Sequence, residues 1–204
     1  CQNRAAVHWY RLTSGAARRF AVRADGRRQI VDLLVPGDSF GFGVRGRHRF
    51  TVEAVTEGTV VACYPRARLD ALAQSDPHVA RWLHEAMCGA MSRLHSQIMI
   101  LGRTTAQQKV GAFLLNLAER LAESPVDVVV LPISRYDIAD FLALSVETVS
   151  RSLTGIKRRG AITLDGPRRI RIVDRGAFGD GDCNDDWDLD DDSEASRVAQ
   201  WRHG

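Results

Sequence analysis

Apolar positions in the first third of the chain come in short runs between glycine-centred breaks, the pattern of β-strands. Val7 to Leu12 reads as a strand. Because the chain opens on Cys1 without a Met, its natural start is expected upstream. Ala16 to Val35 holds two β-rich segments flanking Asp25-Gly26, a hairpin signal because both residues tolerate positive φ. Phe20 and Val22 alternate with Arg19 and Arg23 before that turn, and Ile30, Val31, Leu33 and Leu34 follow it. Pro36-Gly37-Asp38 is a second turn, and Thr51 to Tyr64 supplies two more short strands broken at Glu57-Gly58. Short strands with such turns predict a β-roll or barrel over residues 1–75.

From Asp76 the period lengthens to that of a helix over 76–103, with Pro77 in its first turn. Met87, Met91, Leu94, Ile98 and Leu101 lie at alternating spacings of 4 and 3, which puts all five on one seam. Such a seam serves either as one side of an ordinary core or as a dimer contact, and spacing alone does not choose. Gly102 followed by Thr105-Ala106-Gln107-Gln108 marks a break and a fresh capping box. The next helix carries Val110, Phe113, Leu114, Leu117 and Leu121 on one face and stops at Ser124-Pro125.

Val128 to Ile133 is a short strand-like run. Ser134 then caps a short helix through Ile138, Ala139 and Leu142, with Asp137 as its box partner. Ala143-Leu144-Ser145 makes a tight connection, and Ser145 caps a second helix from Val146 to Arg159, stopped by Gly160. Val149, Leu153 and Ile156 on that helix face the first one. Ile162-Thr163-Leu164, Asp165-Gly166 and Ile170-Arg171-Ile172 form a β-hairpin. Two short helices, a tight turn and a terminal hairpin predict a winged helix-turn-helix over 104–173. The fold class is therefore α+β.

Charge sharpens this picture. The 204 residues carry 28 Lys+Arg and 25 Asp+Glu, net +3. From Asp174 to Gly204 there are ten acidic and three basic residues, a balance of −7, so the body before it stands at +10. A basic body with an acidic tail fits a polyanion binder, although charge alone does not single out nucleic acid. Cysteines at 1, 63, 88 and 183 form no CxxC pair, so neither a disulfide scaffold nor a zinc finger is predicted. No apolar run approaches the roughly 18 residues of a membrane helix, and no basic-then-apolar leader opens the chain. A soluble, reduced, cytoplasmic protein without a membrane partner is expected.

The polar face of the second helix suggests a purpose. Glu147, Ser150 and Arg151 lie at i, i+3 and i+4 and project together from its N-terminal half, the positions that reach base edges in a helix-turn-helix. Arg151 can donate two parallel hydrogen bonds to guanine O6 and N7, and Glu147 can accept from a cytosine amino group. The plainer alternative is an intrahelical Glu147–Arg151 ion pair on a solvated face, and both can hold together. Lys157, Arg158, Arg159, Arg168, Arg169 and Arg171 cluster at the helix end and in the hairpin, suited to phosphates.

These residues resemble a known family. Ser134-Arg135-Tyr136-Asp137-Ile138-Ala139-Asp140-Phe141-Leu142, followed by Val146-Glu147-Thr148-Val149-Ser150-Arg151, is similar to the DNA-binding domain of the CRP/FNR superfamily. The Glu-x-x-Ser-Arg pattern resembles its FNR and FixK branch, whose members recognise TTGAT…ATCAA inverted repeats. Asp25-Gly26-Arg27-Arg28-Gln29-Ile30, the turn Pro36-Gly37-Asp38-Ser39-Phe40-Gly41 and Leu101-Gly102-Arg103 are similar to FixK-type proteins too. The resemblance spans about residues 8 to 173. It implies a cyclic-nucleotide-binding-like β-roll, a dimerisation helix whose interface is the Met87-to-Leu101 seam, and a reader acting on promoters with RNA polymerase as partner. Ser134, Arg135, Ser145, Thr148, Lys157, Arg158, Arg168 and Arg169 then become the candidates for the DNA backbone.

Departures from the family pattern limit the cofactors. Iron–sulfur members carry clustered N-terminal cysteines plus one in the β-roll, whereas only Cys1 and Cys63 lie in that region, so a cluster is not supported. The Glu that holds the ribose of cAMP is missing from Phe40-Gly41-Phe42-Gly43, which makes cAMP an unsuitable ligand. No cofactor is expected. An effector-gated sensor, whose β-roll must first bind a small molecule or redox cofactor, is the alternative. Histidines at 8, 48, 78, 84, 95 and 203 show no metal-ligand spacing, with His84 and His95 expected on exposed parts of the long helix. Cys63 and Cys88 are expected as buried packing residues. Cys183 among acidic neighbours is no activated nucleophile, and no catalytic pattern marks an enzyme. The tail over 174–204, with Trp187 and Trp201 in polar surroundings, is expected to be disordered and to fold over the basic reader, weakening non-specific DNA binding.

Overall fold

Alternation in the first third builds strands β1 (His8–Ser14), β2 (Ala17–Val22), β3 (Arg28–Leu34), β4 (Ser39–Phe40), β5 (Thr51–Ala54) and β6 (Val60–Pro65). In the computed structural model the residues described are 4–43, 46–121, 128–166 and 168–178. Cys1, the Ser124-Pro125 helix stop, Cys183 and the acidic tail from 179 onward lie outside them. The strands form two antiparallel sheets, ordered β4-β1-β6 and β3-β2-β5. Tyr10 stands opposite both Phe40 and Cys63, and the register shifts between Arg19 and Phe20, leaving Val31 of β3 as the extra residue. Leu12, Ala17, Leu34 and Phe40 bury together within the roll.

Helix α1 (Arg66–Ser75) follows directly from Pro65. It has no counterpart in the sequence reading, because it buries only Leu69 and so carries almost no apolar period. Asp76 caps α2 (Pro77–Gly102), its side chain accepting from the His78 N–H with Pro77 in the first turn. Trp9, Leu69 and Leu83 pack the two helices onto the roll. The expected capping box opens α3 (Ala106–Leu121): the Gln108 N–H donates to Thr105 Oγ1 at 3.2 Å and the Thr105 N–H to Gln108 Oε1 at 3.0 Å. Val110, Phe113, Leu114 and Leu117 are buried, and Leu121 is half-buried.

Beyond α3 come β7 (Val128–Val130), α4 (Arg135–Leu142), α5 (Val146–Arg158), β8 (Ile162–Leu164) and β9 (Arg169–Ile172). The apolar run expected to reach Ile133 leaves the strand at Val130, two residues before Pro132. It joins the predicted β8–β9 hairpin to make a third sheet, β7-β9-β8. A single 3-10 turn, Gly176–Phe178, returns to α3, where the Phe178 ring packs against Gly111. The largest apolar cluster runs from Ile30 and Leu33 of β3 through Phe113 and Leu117 to Ile138, Phe141, Leu153 and Ile170. Strand β3 of the roll is therefore built into the core of the C-terminal unit.

Buried charge ties the same elements together. Asp38 accepts from Arg93 of α2 at 3.0 Å and from Arg120 of α3 at 2.6 Å, and its Oδ2 also takes the Val35 N–H. Asp32 pairs with Arg19 at 3.1 Å and Arg93 at 3.4 Å. Burial pushes the Asp32 carboxyl up, against the pull of Arg19, Arg93 and Arg120. Across the face of α4, Arg18 and Arg28 both hold Asp137, while Arg28 also reaches Asp140 at 3.4 Å. The Ile30 N–H donates to Asp140 Oδ1 at 3.1 Å.

Two consequences are measurable. Ala143 closes α4 at φ 53°, ψ 45°, a left-handed conformation that costs an L-residue roughly 1–2 kcal/mol. Ala143→Gly is expected to raise unfolding stability by about 0.5–1 kcal/mol in urea melts. Burial acts to raise the Asp137 carboxyl, but hydrogen bonds from Ser134 and the charge of Arg18 outweigh it and hold the group below its ordinary value of 3.8. A depressed folded value stabilises the fold above the ordinary value and loses that contribution as pH falls through the folded one. Asp137→Asn is expected to cost about 2 kcal/mol at pH 7 and to flatten the acid limb of the stability profile.

Candidate nucleic-acid interface

Two local devices set the geometry of the reading helix. Ser134 Oγ accepts from the Asp137 N–H, and the Asp137 carboxylate takes the Ser134 N–H in return, closing the capping box of α4. Ser145 Oγ accepts from the Thr148 N–H at 3.1 Å and starts α5 three residues after α4 ends. Val149, Leu153 and Ile156 are fully buried against α3 and α4, as their spacing required. The opposite side of α5 is thereby turned to solvent.

Glu147 and Arg151 are both exposed on that side. Thr154 and Arg158 continue the same face, and a helical wheel drawn one turn further would have added Thr154 to the candidates. The alternative of a closed Glu147–Arg151 ion pair is not realised among the described residues. The Glu147 carboxylate is held below its ordinary range first by its own backbone N–H, then by the Ser145 hydroxyl, with Arg151 acting only as a nearby charge. Arg151 carries no side-chain partner among the described residues, so its donors are available to a base. Ser150 is different: half-buried at the edge of this face, its hydroxyl accepts from Arg135 of α4 at 3.3 Å. Ser150 therefore fastens the two helices to each other while bordering the reading face.

The backbone candidates surround this face. Ser134, Arg135, Ser145 and Thr148 line the two helix starts, the positive ends of the helix dipoles. Tyr136, 72% exposed, stands beside them and had not been singled out. Lys157 and Arg158 project at the end of α5, and Arg168, Arg169 and Arg171 project from the wing, where Ile170 and Ile172 alternate inward. Arg159 turns back instead, its guanidinium donating to the Phe178 carbonyl at 3.5 Å.

Elsewhere the candidates fall as follows. Met87, Met91, Leu94 and Ile98 are exposed along α2 and Leu101 is half-buried, so the seam is not one side of this chain's own core. His84 and His95 are exposed on the same helix. Cys63 and Cys88 are exposed too, against the expectation of buried packing residues. Cys63 lies on an edge strand and faces a cavity open to solvent, and Cys88 sits on the outer surface of α2 with its Sγ 3.6 Å from His84 Nε2. Among the described residues no helix is long and apolar enough to cross a membrane.

Comparison with known proteins agrees with this layout. Residues 1–76 match the cyclic nucleotide-binding domain family and residues 108–179 the Crp-like helix-turn-helix domain family. The nitrogen fixation regulation protein FixK of Azorhizobium caulinodans is 44% identical over 172 residues, covering 83% of this chain and 69% of the relative. The transcriptional activator protein FnrL of Cereibacter sphaeroides is 34% identical, covering 80% and 68%. The structure of FixK2 from Bradyrhizobium japonicum superimposes with a TM-score of 0.79 at 36% identity, covering 87% of this chain and 88% of that one. A β-roll joined by a long helix to a winged reader with Glu147 and Arg151 exposed, together with these likenesses, makes the chain a DNA-binding regulator, not an enzyme, and a member of the FixK branch of the CRP/FNR family.

Proposed function

We propose that the chain acts as a homodimer on TTGAT…ATCAA inverted repeats and activates transcription in the cytoplasm by contacting RNA polymerase, in a low-oxygen or nitrogen-fixation response. The observation that carries this reading is the solvent-facing pair Glu147 and Arg151 on a helix anchored by Ser145. A carboxylate beside phosphates is repelled unless it meets a base donor, so its place on this face favours base reading over backbone binding alone. The names of the relatives, a nitrogen fixation regulator and a transcriptional activator, support the physiological side. The exposed apolar seam of α2 supports the dimer, whose two-fold axis matches an inverted repeat. This reading needs no cAMP, iron–sulfur cluster or other cofactor.

A second reading rests on one feature. The β-roll contains a cavity of about 410 Å³ lined by Tyr10, Arg19, Phe40, His48, Phe50 and Cys63 among others, large enough for a small effector. The Phe40-Gly41-Phe42-Gly43 segment lacks the Glu that holds the ribose in cAMP binders, so an effector there would be of another kind. Mobility-shift titration of effector-free, metal-free protein against a TTGAT…ATCAA duplex and a scrambled duplex separates the two. Specific binding without effector supports the first reading; binding that appears only after a ligand is added supports the second.

Arg151→Ala is expected to weaken the inverted-repeat complex about 5- to 150-fold, or about 1–3 kcal/mol, and to relax preference at the guanine. Equal losses on matched and scrambled duplexes would refute base reading. Ile98 is 64% exposed on the seam. Ile98→Lys is expected to give a monomer in analytical ultracentrifugation and to lower inverted-repeat affinity at least about 100-fold through lost avidity. A dimer that persists with full affinity would remove the seam from the interface.

A further inference from the structure

The link between α2 and α3 is three residues, Arg103 to Thr105, outside either helix. A reader tethered only there would pivot. Apolar contact between β3 and the C-terminal unit supplies adhesion but little direction, whereas charged hydrogen bonds fix angles. Those bonds are present on two sides. On one, Arg28 Nη2 lies 3.1 Å from Asp137 Oδ1 and its Nε 3.4 Å from Asp140 Oδ2, with Arg18 also on Asp137. Gln29 Nε2 donates to the Asp140 carbonyl at 2.8 Å, next to the Ile30 N–H on Asp140 Oδ1. On the other, Arg120 of α3 donates to both Asp38 Oδ2 and the Leu33 carbonyl, while Arg93 of the long helix holds the other Asp38 oxygen. None of these groups lies on the exposed face of α5, so the clasp and the reading face are separate.

We propose that the Arg28–Asp140 clasp, backed by Arg18 and by the Asp38 junction, makes Arg28 and Asp140 positioning residues that set which half-site spacing a dimer accepts. The inference rests on the dimeric reading of an inverted repeat. One added base pair moves a half-site by about 3.4 Å and turns it by about 35°. A reader held at a fixed angle to the dimer helix cannot follow that turn, and a pivoting one can. The clasp therefore trades tolerance of spacing for selectivity without touching a base.

The test measures the affinity of full-length protein for the cognate inverted repeat, for the same repeat with its spacer lengthened by one base pair, and for a single half-site. Wild-type protein is expected to prefer the cognate spacing. Arg28→Ala and Asp140→Ala are each expected to shrink that preference about fivefold or more, with half-site affinity unchanged and Arg28→Lys restoring it in part. Variants that keep the wild-type preference, or that lose half-site and repeat affinity alike, overturn the proposal. If wild-type protein ignores all three duplexes, the DNA reading itself has failed. The clasp is then judged without DNA by tryptic cleavage after Arg103: faster cutting in both alanine variants upholds the clasp as the restraint on the reader, and equal cutting rejects it.

Discussion

Four carboxylates, Asp32, Asp38, Asp137 and Asp140, are held by arginines where the β-roll, the long helix and the C-terminal unit meet. Carboxylates this far from water are tolerable only when paired and hydrogen-bonded, so each fixes its arginines in place, and the arginines fix the elements that carry them. Asp38 is the extreme case, since one side chain accepts from the turn that bears it, from α2 and from α3. The apolar core that β3 enters makes the modules adhere. The pairs decide how they sit.

The recognition unit depends on that arrangement and on local chemistry in equal measure. Asp137 belongs to both: it closes the capping box of α4 and anchors Arg18 and Arg28 of the roll. The first turn of α4 is thus stitched to the sheet at the residue that closes its cap. Ser150 plays a comparable double part, bonding to Arg135 while bordering the face that carries Arg151.

What was legible in the sequence was whatever is encoded over a few residues. Ser134 with Asp137, Thr105 with Gln108, the Asp25-Gly26 hairpin and the buried Val149-Leu153-Ile156 stripe are all short-range signals, and each took the predicted form. The seam from Met87 to Ile98 was visible as a spacing, but only the fold shows that the chain leaves it uncovered. Helix α1 escaped because a helix that buries one leucine has no period to detect. The clasp escaped for another reason: Arg28 and Asp137 are 109 residues apart, and nothing in either neighbourhood names the other. Cys63 was misjudged because residue type speaks of average burial, while its exposure comes from an edge strand beside an open cavity.

The internal pairing also changes how the protein meets a polyelectrolyte. Arg18, Arg19, Arg28, Arg93 and Arg120 contribute to the basic charge of the body, yet all five are held within the molecule by Asp32, Asp38, Asp137, Asp140 and Glu53. The cations left on the side of α5 and the wing are few: Arg151, Lys157, Arg158, Arg168, Arg169 and Arg171. Counterion release counts only charges that reach phosphates. In the proposed complex the salt dependence of binding is therefore expected to follow this small set together with Arg135, more than the internally paired arginines of the β-roll.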